Sequence, residues 1–278
     1  MNSKNFEVPG SVKTIPSMTK EPSPQWVKES RFGRWFLNSN TWIQYVLNVA
    51  IDDLEGLIEH RPHRYPLIVD IGCGYGHAFQ TLDERFNPDK IVGIDTDLEV
   101  LDKAIKKVSD CRCEVQLLNG VSESIELPNE SVDLVFCHQS FHHFVDQQSA
   151  IREFFRIIKP GGILMFAESC RKYIHSFLIR LLFRHPMQNQ KMAFQYLKMI
   201  RRSGFVFEKE NVSFPYLWWS RADLGIMQRL GFSGHNQREE TLVNVVAQRP
   251  LDDQRFHVPD SKKTKPHQNS DKCAIMQP

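Results

Sequence analysis

Asp70 and Asp95 each end a short apolar run, Leu67 to Val69 and Ile91 to Ile94, and Gly72, Gly74 and Gly76 follow the first acid at alternate positions. Glycine has no Cβ, so it takes positive φ and lets backbone come within contact distance of a ligand. A helix starting just after such a turn aims its unpaired N–H groups at the same point. An acid at the tip of the next strand can accept both hydroxyls of a ribose. These residue types in this order predict an adenosine-type cofactor lying across the ends of adjacent parallel strands. Further along, His138, His142 and His143 follow the apolar run Val132 to Cys137. Imidazoles titrate near neutrality and can act as general bases. His142 and His143 are the candidate bases, because they lie further from the strand, with a structural role in the loop as the competing reading.

Elements of definite type must position these groups. The first acid and its glycines imply a strand, a turn and a helix, and the second acid a second strand. Leu98 to Val108 reads as the next helix, with Leu98, Leu101, Ile105 and Val108 on one face, and Glu114 to Leu118 as a third strand. Val132 to Cys137 is a fourth strand, and Gln147 to Ile158 an amphipathic helix carrying Ile151, Phe154 and Phe155. Pro160-Gly161-Gly162 stops it and turns the chain into a strand from Ile163 to Ser169. Strands alternating with helices imply a mostly parallel sheet covered on both faces, an α/β doubly wound, Rossmann-like fold.

The flanks differ from this core. Gln25 to Ile58 is aromatic-rich and helical in period, with Trp35, Trp42, Leu47, Ala50 and Leu54 at three- and four-residue steps. Tyr173 to Arg184 places Ile174, Phe177, Leu178, Leu181 and Leu182 on one helical face ringed by Arg171, Lys172, Arg180 and Arg184. It reads as a lid over an apolar substrate, as a basic amphipathic helix lying on a membrane surface, or as packing on the domain's own flank. A further helix is expected over about 189–203, a strand over Phe205 to Phe214 and a final strand over Thr241 to Arg249. Both RRSGF and QRLGF can end the helix before the penultimate strand, and the first is chosen.

Spacing decides between cofactors. The dinucleotide fingerprint needs a third glycine one place later than Gly76, where this chain has His77, so a nicotinamide oxidoreductase is disfavoured. Asp70-x-Gly72-x-Gly74-x-Gly76 instead resembles the first motif of the class I S-adenosylmethionine-dependent methyltransferases. The resemblance continues through Asp95, NESVDLVFCH (Asn129 to His138) and IIKPGGIL (Ile157 to Leu164), roughly a hundred residues in order. It is similar to the broad small-molecule group that includes the type 11 methyltransferase domains.

The resemblance implies a seven-stranded sheet, N-terminal capping helices and S-adenosyl-L-methionine as cofactor. Asp70 and Gly72 to Gly76, Cys73 included, would cradle the methionine end. Asp95, with Thr96 beside it, would take the ribose, and Asn119, Gly120, Val121 and Ser122 would lie against adenine. His138 and Gln139 would border the cofactor, and Ser140 and Phe141 the acceptor. Val121 stands where the family usually has an acid, which leaves the adenine amine to backbone, Ser122 or Glu123. No Asp/Asn-Pro-Pro-aromatic run follows the fourth strand, which argues against base-amine methylation. The cluster around Tyr216, Trp218, Trp219 and Arg221 can floor an aromatic or lipid-like site or fill a core. The expected activity is direct in-line methyl transfer to a small-molecule acceptor. An RNA or protein methyltransferase, or an inactive cofactor-binding protein of the same fold, stands as the alternative.

The chain has 278 residues, 41% hydrophobic and 24% charged, with a formal charge of +2. That is ordinary globular composition without the basic footprint of a nucleic-acid binder. The expected layout is a disordered segment over 1–24, one methyltransferase domain over 25–249, and a disordered tail over 250–278. Within the domain, 25–60 is a helical cap, 67–170 the cofactor-binding core, 171–203 a helical lid and 205–249 the C-terminal strands with an aromatic insertion. No secretory signal and no run of about eighteen apolar residues is evident, so a cytoplasmic protein is expected. The six cysteines lack zinc-type pairs, and Cys111-Arg112-Cys113 is too tight for metal spacing, so no metal is expected.

Overall fold

The computed structural model describes residues 27–220 and 240–251, together with the backbone of Thr14 and Ile15. Its centre is an eight-stranded sheet in the order β1-β4-β3-β2-β5-β6-β8-β7. The strands are β1 (Thr14–Ile15), β2 (Leu67–Ile71), β3 (Lys90–Asp95), β4 (Glu114–Asn119), β5 (Val132–His138), β6 (Ile158–Ser169), β7 (Val212–Ser213) and β8 (Leu242–Gln248). Strands β1 to β6 pair in parallel, and β8 is antiparallel to β6 and β7. This is the seven-stranded, mostly parallel sheet of the class I methyltransferase fold, with one short edge strand added. That edge strand was not expected: Thr14 and Ile15, both β-branched, pair with Leu117 and Leu118.

The central strands read as unbroken apolar runs because both faces of the sheet are covered. Ile68, Ile91, Leu134 and Phe136 face one core cluster, and Val69, Val92, Val135 and Cys137 the other, all buried. The first face is covered in part by the N-terminal cap, in which α1 (Arg31–Leu37) leads into α2 (Asn40–Trp42) and α3 (Asn48–Gly56), the last two joined by a π-helical turn over Ile43–Leu47. Leu47, Ile51 and Leu54 are fully buried there, each contributing about 1.5–3 kcal/mol relative to exposure. The cap therefore packs on the sheet, and its beginning also reaches the carboxyl ends of the strands.

Helix α4 (Phe79–Phe86) links β2 to β3, α5 (Leu98–Val108) links β3 to β4, and α6 (Gln147–Ile157) links β5 to β6. Asp97 caps α5 by accepting from the Glu99 N–H, and Asp146 caps α6 by accepting from the Ser149 N–H. From β2 the chain moves outward to β3 and β4, then returns to β5 on the other side of β2. The crevice outside the carboxyl ends of β2 and β5 is thus the switch point where ligands of such sheets bind.

Several expected elements differ. The helix expected over Tyr173 to Arg184 is two short ones, α7 (Arg171–Ile174) and α8 (Phe177–Leu182), because Ser176 takes an extended conformation and restarts the helix. The next, α9 (Ala193–Arg202), starts later than expected after an extended Met192. The strand expected over Phe205 to Phe214 reduces to a bridge from Val206 to Gln248 and the two residues of β7. Between them Asn211 accepts from the Glu208 N–H and curls Lys209–Asn211 into a 3-10 turn. Pro160-Gly161-Gly162 lies inside β6 rather than before it. Gly161, at φ +82°, donates to the Arg249 carbonyl at 2.8 Å and keeps the chain on the sheet through the irregularity.

Gly204, at φ +104°, ends α9, as the choice of RRSGF requires; QRLGF lies outside the described residues. So do most of 1–24, the tail beyond Leu251 and Arg221. Among the described residues no helix is long and apolar enough to cross a membrane.

Candidate active site

The tips of β2 to β5, the loops that follow them and the start of the N-terminal cap enclose a cavity of about 230 Å³. Of the residues singled out above, Asp70, Gly72, Cys73, Gly74, Asp95, Thr96, Gly120, Val121, Ser122, His138, Gln139, Ser140 and His143 line it. Gly76, Asn119, Phe141, His142, Tyr216 and Trp219 do not.

The three glycines have separate roles. All take positive φ, +70° at Gly72, +54° at Gly74 and +72° at Gly76. A Cβ on Gly72 would lie 2.4 Å from that of Ser140, whose hydroxyl donates to the Ile71 carbonyl at 2.9 Å; this glycine lets the β5 loop close on β2. A Cβ on Gly76 would lie 2.5 Å from the Phe79 ring, so Gly76 serves the packing of α4 rather than the cavity wall. Only Gly74 meets nothing within 4 Å, and the space a side chain would take belongs to the cavity. Its N–H donates to Asp95 Oδ2 at 2.9 Å, while Asp95 Oδ1 accepts from the Asp97 N–H at 2.9 Å.

Asp70 is 3% exposed, and its Oδ2 is buried without a partner. Burial, with the Asp95 charge adding to it, raises its carboxyl to about 8. Burial also raises Asp95, against the backbone N–H groups that hold its charged form. Two acids with unmet demand for positive charge therefore share one cavity wall.

Asn119 is buried beneath the wall, where its amide donates to the carbonyls of Asp95 and Thr96 at 3.0 and 3.1 Å. It positions the β3 tip instead of lying against the ligand. Ser122 and Glu123 line the cavity where Val121 replaces the expected acid, and the Ser122 hydroxyl donates to Glu123 at 3.1 Å.

The histidines separate in space. His138 lines the cavity, its ring 5.5 Å from that of Trp42, and burial lowers its pKa to about 3. His142, expected at the crevice, points into the protein: its side chain is 4% exposed and its Nδ1 lies 2.5 Å from Glu168, itself fully buried. The Glu168 carboxylate, placed on β6, takes the ring out of the crevice, so His142 is not placed to deprotonate an acceptor. His143 does line the cavity, but burial and the neighbouring His142 and His185 hold its pKa well below the usual value, which makes it a weak base.

Phe141 belongs to the core, 1% exposed and packed edge-on against Phe166 and Tyr196. Trp219 donates from Nε1 to the Tyr45 carbonyl at 3.0 Å and meets Tyr173 edge-on, so it ties the cap to α7 rather than flooring the cavity. The side chain of Trp218 lies outside the described residues.

Sequence reasoning missed Glu29, Arg34, Trp42, Tyr75 and His77 as lining residues. Trp42 carried a signal, an aromatic on the face of a helical cap. Glu29 and Arg34 carried none, because their approach to the cavity depends on how the start of the cap meets the strand tips.

Residues 69–166 match the family model described as methyltransferase domain. Over 100 residues the chain is 32% identical to malonyl-[acyl-carrier protein] O-methyltransferase 1 of Coxiella burnetii, covering 36% of this chain and 32% of that one. Over 104 residues it is 27% identical to phosphoethanolamine N-methyltransferase 3 of Arabidopsis thaliana, covering 37% and 21%. The chain thus spans about a third or less of the length of these relatives.

Among solved structures, the putative methyltransferase of Haloferax volcanii in complex with the Trm112 activator superposes with TM-score 0.55. It is 17% identical, covering 78% of this chain and 93% of that one. The [4+2]-cyclase SpnF superposes with TM-score 0.55 at 17% identity, covering 73% and 81%. Segment 69–166 thus carries a methyltransferase domain of the type 11 family, and the fold around it is the one these solved structures share. Family and fold imply S-adenosylmethionine as cofactor. The residues present fit it: a cationic ligand meets the unpaired Asp70 oxygen, and the open face of Gly74 leaves room for its backbone-close approach.

Proposed function

We propose that this chain is an S-adenosylmethionine-dependent methyltransferase acting by direct in-line transfer on a small-molecule acceptor. The observation that carries the reading is the buried, unpartnered Oδ2 of Asp70 beside the open face of Gly74, in one cavity with Asp95. When bound there, the cofactor supplies an electrophilic methyl on a positively charged sulfur. Asp70 would accept from its amino group, and Asp95 would accept from the ribose hydroxyls with the lone pairs that Gly74 and Asp97 leave free. Gly120 to Glu123 lie along adenine, and Glu123 stands in for the acid absent at Val121. His138 and Trp42 form an uncharged wall, which favours a cation over bulk water only where the two acids are.

The acceptor end lies toward Ser140, His143, Phe144 and Val145, where Val27, Leu37 and Trp42 make most of the surface apolar. That lining suits an apolar, aromatic or lipid-like acceptor. The relatives named above act, by their names, at oxygen and at nitrogen, so the acceptor atom is not narrowed by them. We read 25–249 as one domain, with 171–203 as a lid. The Ser30 hydroxyl donates to the Leu182 carbonyl and the Arg184 N–H to Glu29, which straps the lid to the cap at the cavity rim. Closing it excludes water, and positioning and exclusion supply most of the acceleration such a transfer needs.

Calorimetric titration with S-adenosylmethionine, with NADH as control, tests the cofactor. About micromolar binding of the first and none of the second is expected. A radiolabelled-methyl screen over phenols, quinones, lipids, protein and RNA then tests transfer. The SpnF likeness gives the alternative its content, since a cyclase shares this fold. Binding without transfer to any acceptor would favour a chain that holds the cofactor for another purpose.

A further inference from the structure

His142, His143 and His185 bring one ring nitrogen each to within 4.8 Å of one another. The three rings are tilted against one another at centroid distances of 4.2 Å (His142 to His143), 4.9 Å (His142 to His185) and 5.0 Å (His143 to His185). His142 is 3% exposed and its Nε2 has no hydrogen-bond partner; His185 Nδ1 is likewise buried and unpartnered. A neutral imidazole left with a bare nitrogen inside a protein forfeits a hydrogen bond, and this one cluster holds two such nitrogens. The other nitrogen of His142 is held by Glu168, which also accepts the N–H groups of His142 and Ser169. A buried carboxylate on the far nitrogen is the arrangement that fixes a metal-ligating histidine in place and raises its donor strength.

His185 arrives from a distant segment, and the chain around it is tied to the histidine loop. Gln190 donates to the His142 carbonyl at 3.0 Å, and Asn189 to those of Phe144 and Val145 at 3.2 and 3.4 Å. The cluster is therefore held by both of its segments before any ligand arrives.

We propose that His142, His143 and His185 form a binding site for one divalent transition-metal cation of the zinc class, with its remaining position turned toward the acceptor end of the cavity. Three imidazoles suit such an ion, which binds nitrogen at about 2.0–2.1 Å, and modest rotation of the half-buried His143 and His185 rings brings the donors to that spacing. All three ligands are neutral, so the ion keeps its double charge. Because His143 also lines the cavity, the open position suits an anionic or readily deprotonated oxygen or sulfur group. That last statement, on the acceptor, rests on the methyltransferase reading; the metal site itself does not. The ion would supply what His142 as a base does not, since that ring is turned away from the crevice.

The test uses the full chain without an affinity tag, titrated with zinc in a calorimeter and with cobalt(II) by absorption. The expected result is one equivalent bound at about micromolar or tighter, with the visible bands of tetrahedral cobalt. His185→Asn and His143→Asn each weaken binding at least tenfold, whereas Cys111→Ser with Cys113→Ser leaves it unchanged. Zinc raises the melting temperature of the wild type and not of His185→Asn. No stoichiometric binding by the folded chain, or equal zinc affinity in wild type and His185→Asn, overturns the site. S-adenosylmethionine affinity measured on the same samples separates the two readings: metal bound without cofactor leaves the site standing and removes the methyltransferase, and the reverse does the opposite.

Discussion

The end of the cavity that we assign to the cofactor is made by neighbours in sequence, whereas the end that we assign to the acceptor is assembled from segments far apart. Asp70, the glycines and Asp95 sit on consecutive strand tips, and β2 pairs β3 in register from Leu67 to Ile71, so the hydrogen-bond ladder alone brings these groups together. The other end joins the start of the cap and the loop after β5. The first end is rigid because moving it breaks the central sheet, in which nearly every side chain is buried. The second is held by a few hydrogen bonds to carbonyls, such as those from Trp219 and Asn189. A site of this kind keeps one ligand constant and lets the other change with loops and helices.

Substitutions can break this contrast. The largest effect is expected at Gly76, where alanine would meet the Phe79 ring at 2.5 Å. Gly76→Ala should cost about 3 kcal/mol or more of stability in denaturant unfolding, from overpacking and positive-φ strain together. Asp70→Asn comes next, with opposite effects on folding and binding. The folded chain keeps a proton that an unfolded aspartate releases near pH 4. Stability from this group therefore falls as pH rises from about 4 to 8, and above that stays low. Asparagine, which cannot ionise, should raise the stability of the free chain at pH 8 by on the order of 2 kcal/mol while weakening S-adenosylmethionine binding. Wild-type binding at pH 7 should release a proton, read from calorimetric heats in buffers of different ionisation enthalpy, and the variant should release none.

Gly74→Ala, in open space, should cost only about 1 kcal/mol of stability through its positive φ but weaken cofactor binding about tenfold. The pair of glycines thus separates folding from binding within one motif. The smallest effect is expected for Trp219→Phe, which removes the hydrogen bond to Tyr45 for about 1 kcal/mol or less. It should leave cofactor affinity unchanged and raise the KM for an acceptor, because it loosens the cap against α7.

What the sequence disclosed follows the same division. Apolar runs, glycines and acids are read locally, so the limits of α5 were legible to the residue and those of the strands carrying Asp70 and Asp95 to within one. The position of His142 was not, because its direction is set by Glu168, distant in the chain and buried on β6. Phe141 and Trp219 were candidates for a pocket by residue type alone, and whether an aromatic faces a cavity or a core depends on packing. The break at Ser176 was hidden by an apolar period that runs on through it. His185 gave no signal as a partner of His142, since ligand spacing is recognised in sequence only when the ligands are close together.

The most direct test compares S-adenosylmethionine affinity in the wild type and Asp95→Ala by calorimetry, with melting temperature as the check on folding. The strand-tip site predicts about micromolar affinity for the wild type and a loss of about a hundredfold in the variant, because two ribose hydrogen bonds and the anchor of the Gly74 N–H go together. Equal affinity in two folded proteins would contradict it, and would place the cofactor somewhere other than the tips of β2 and β3.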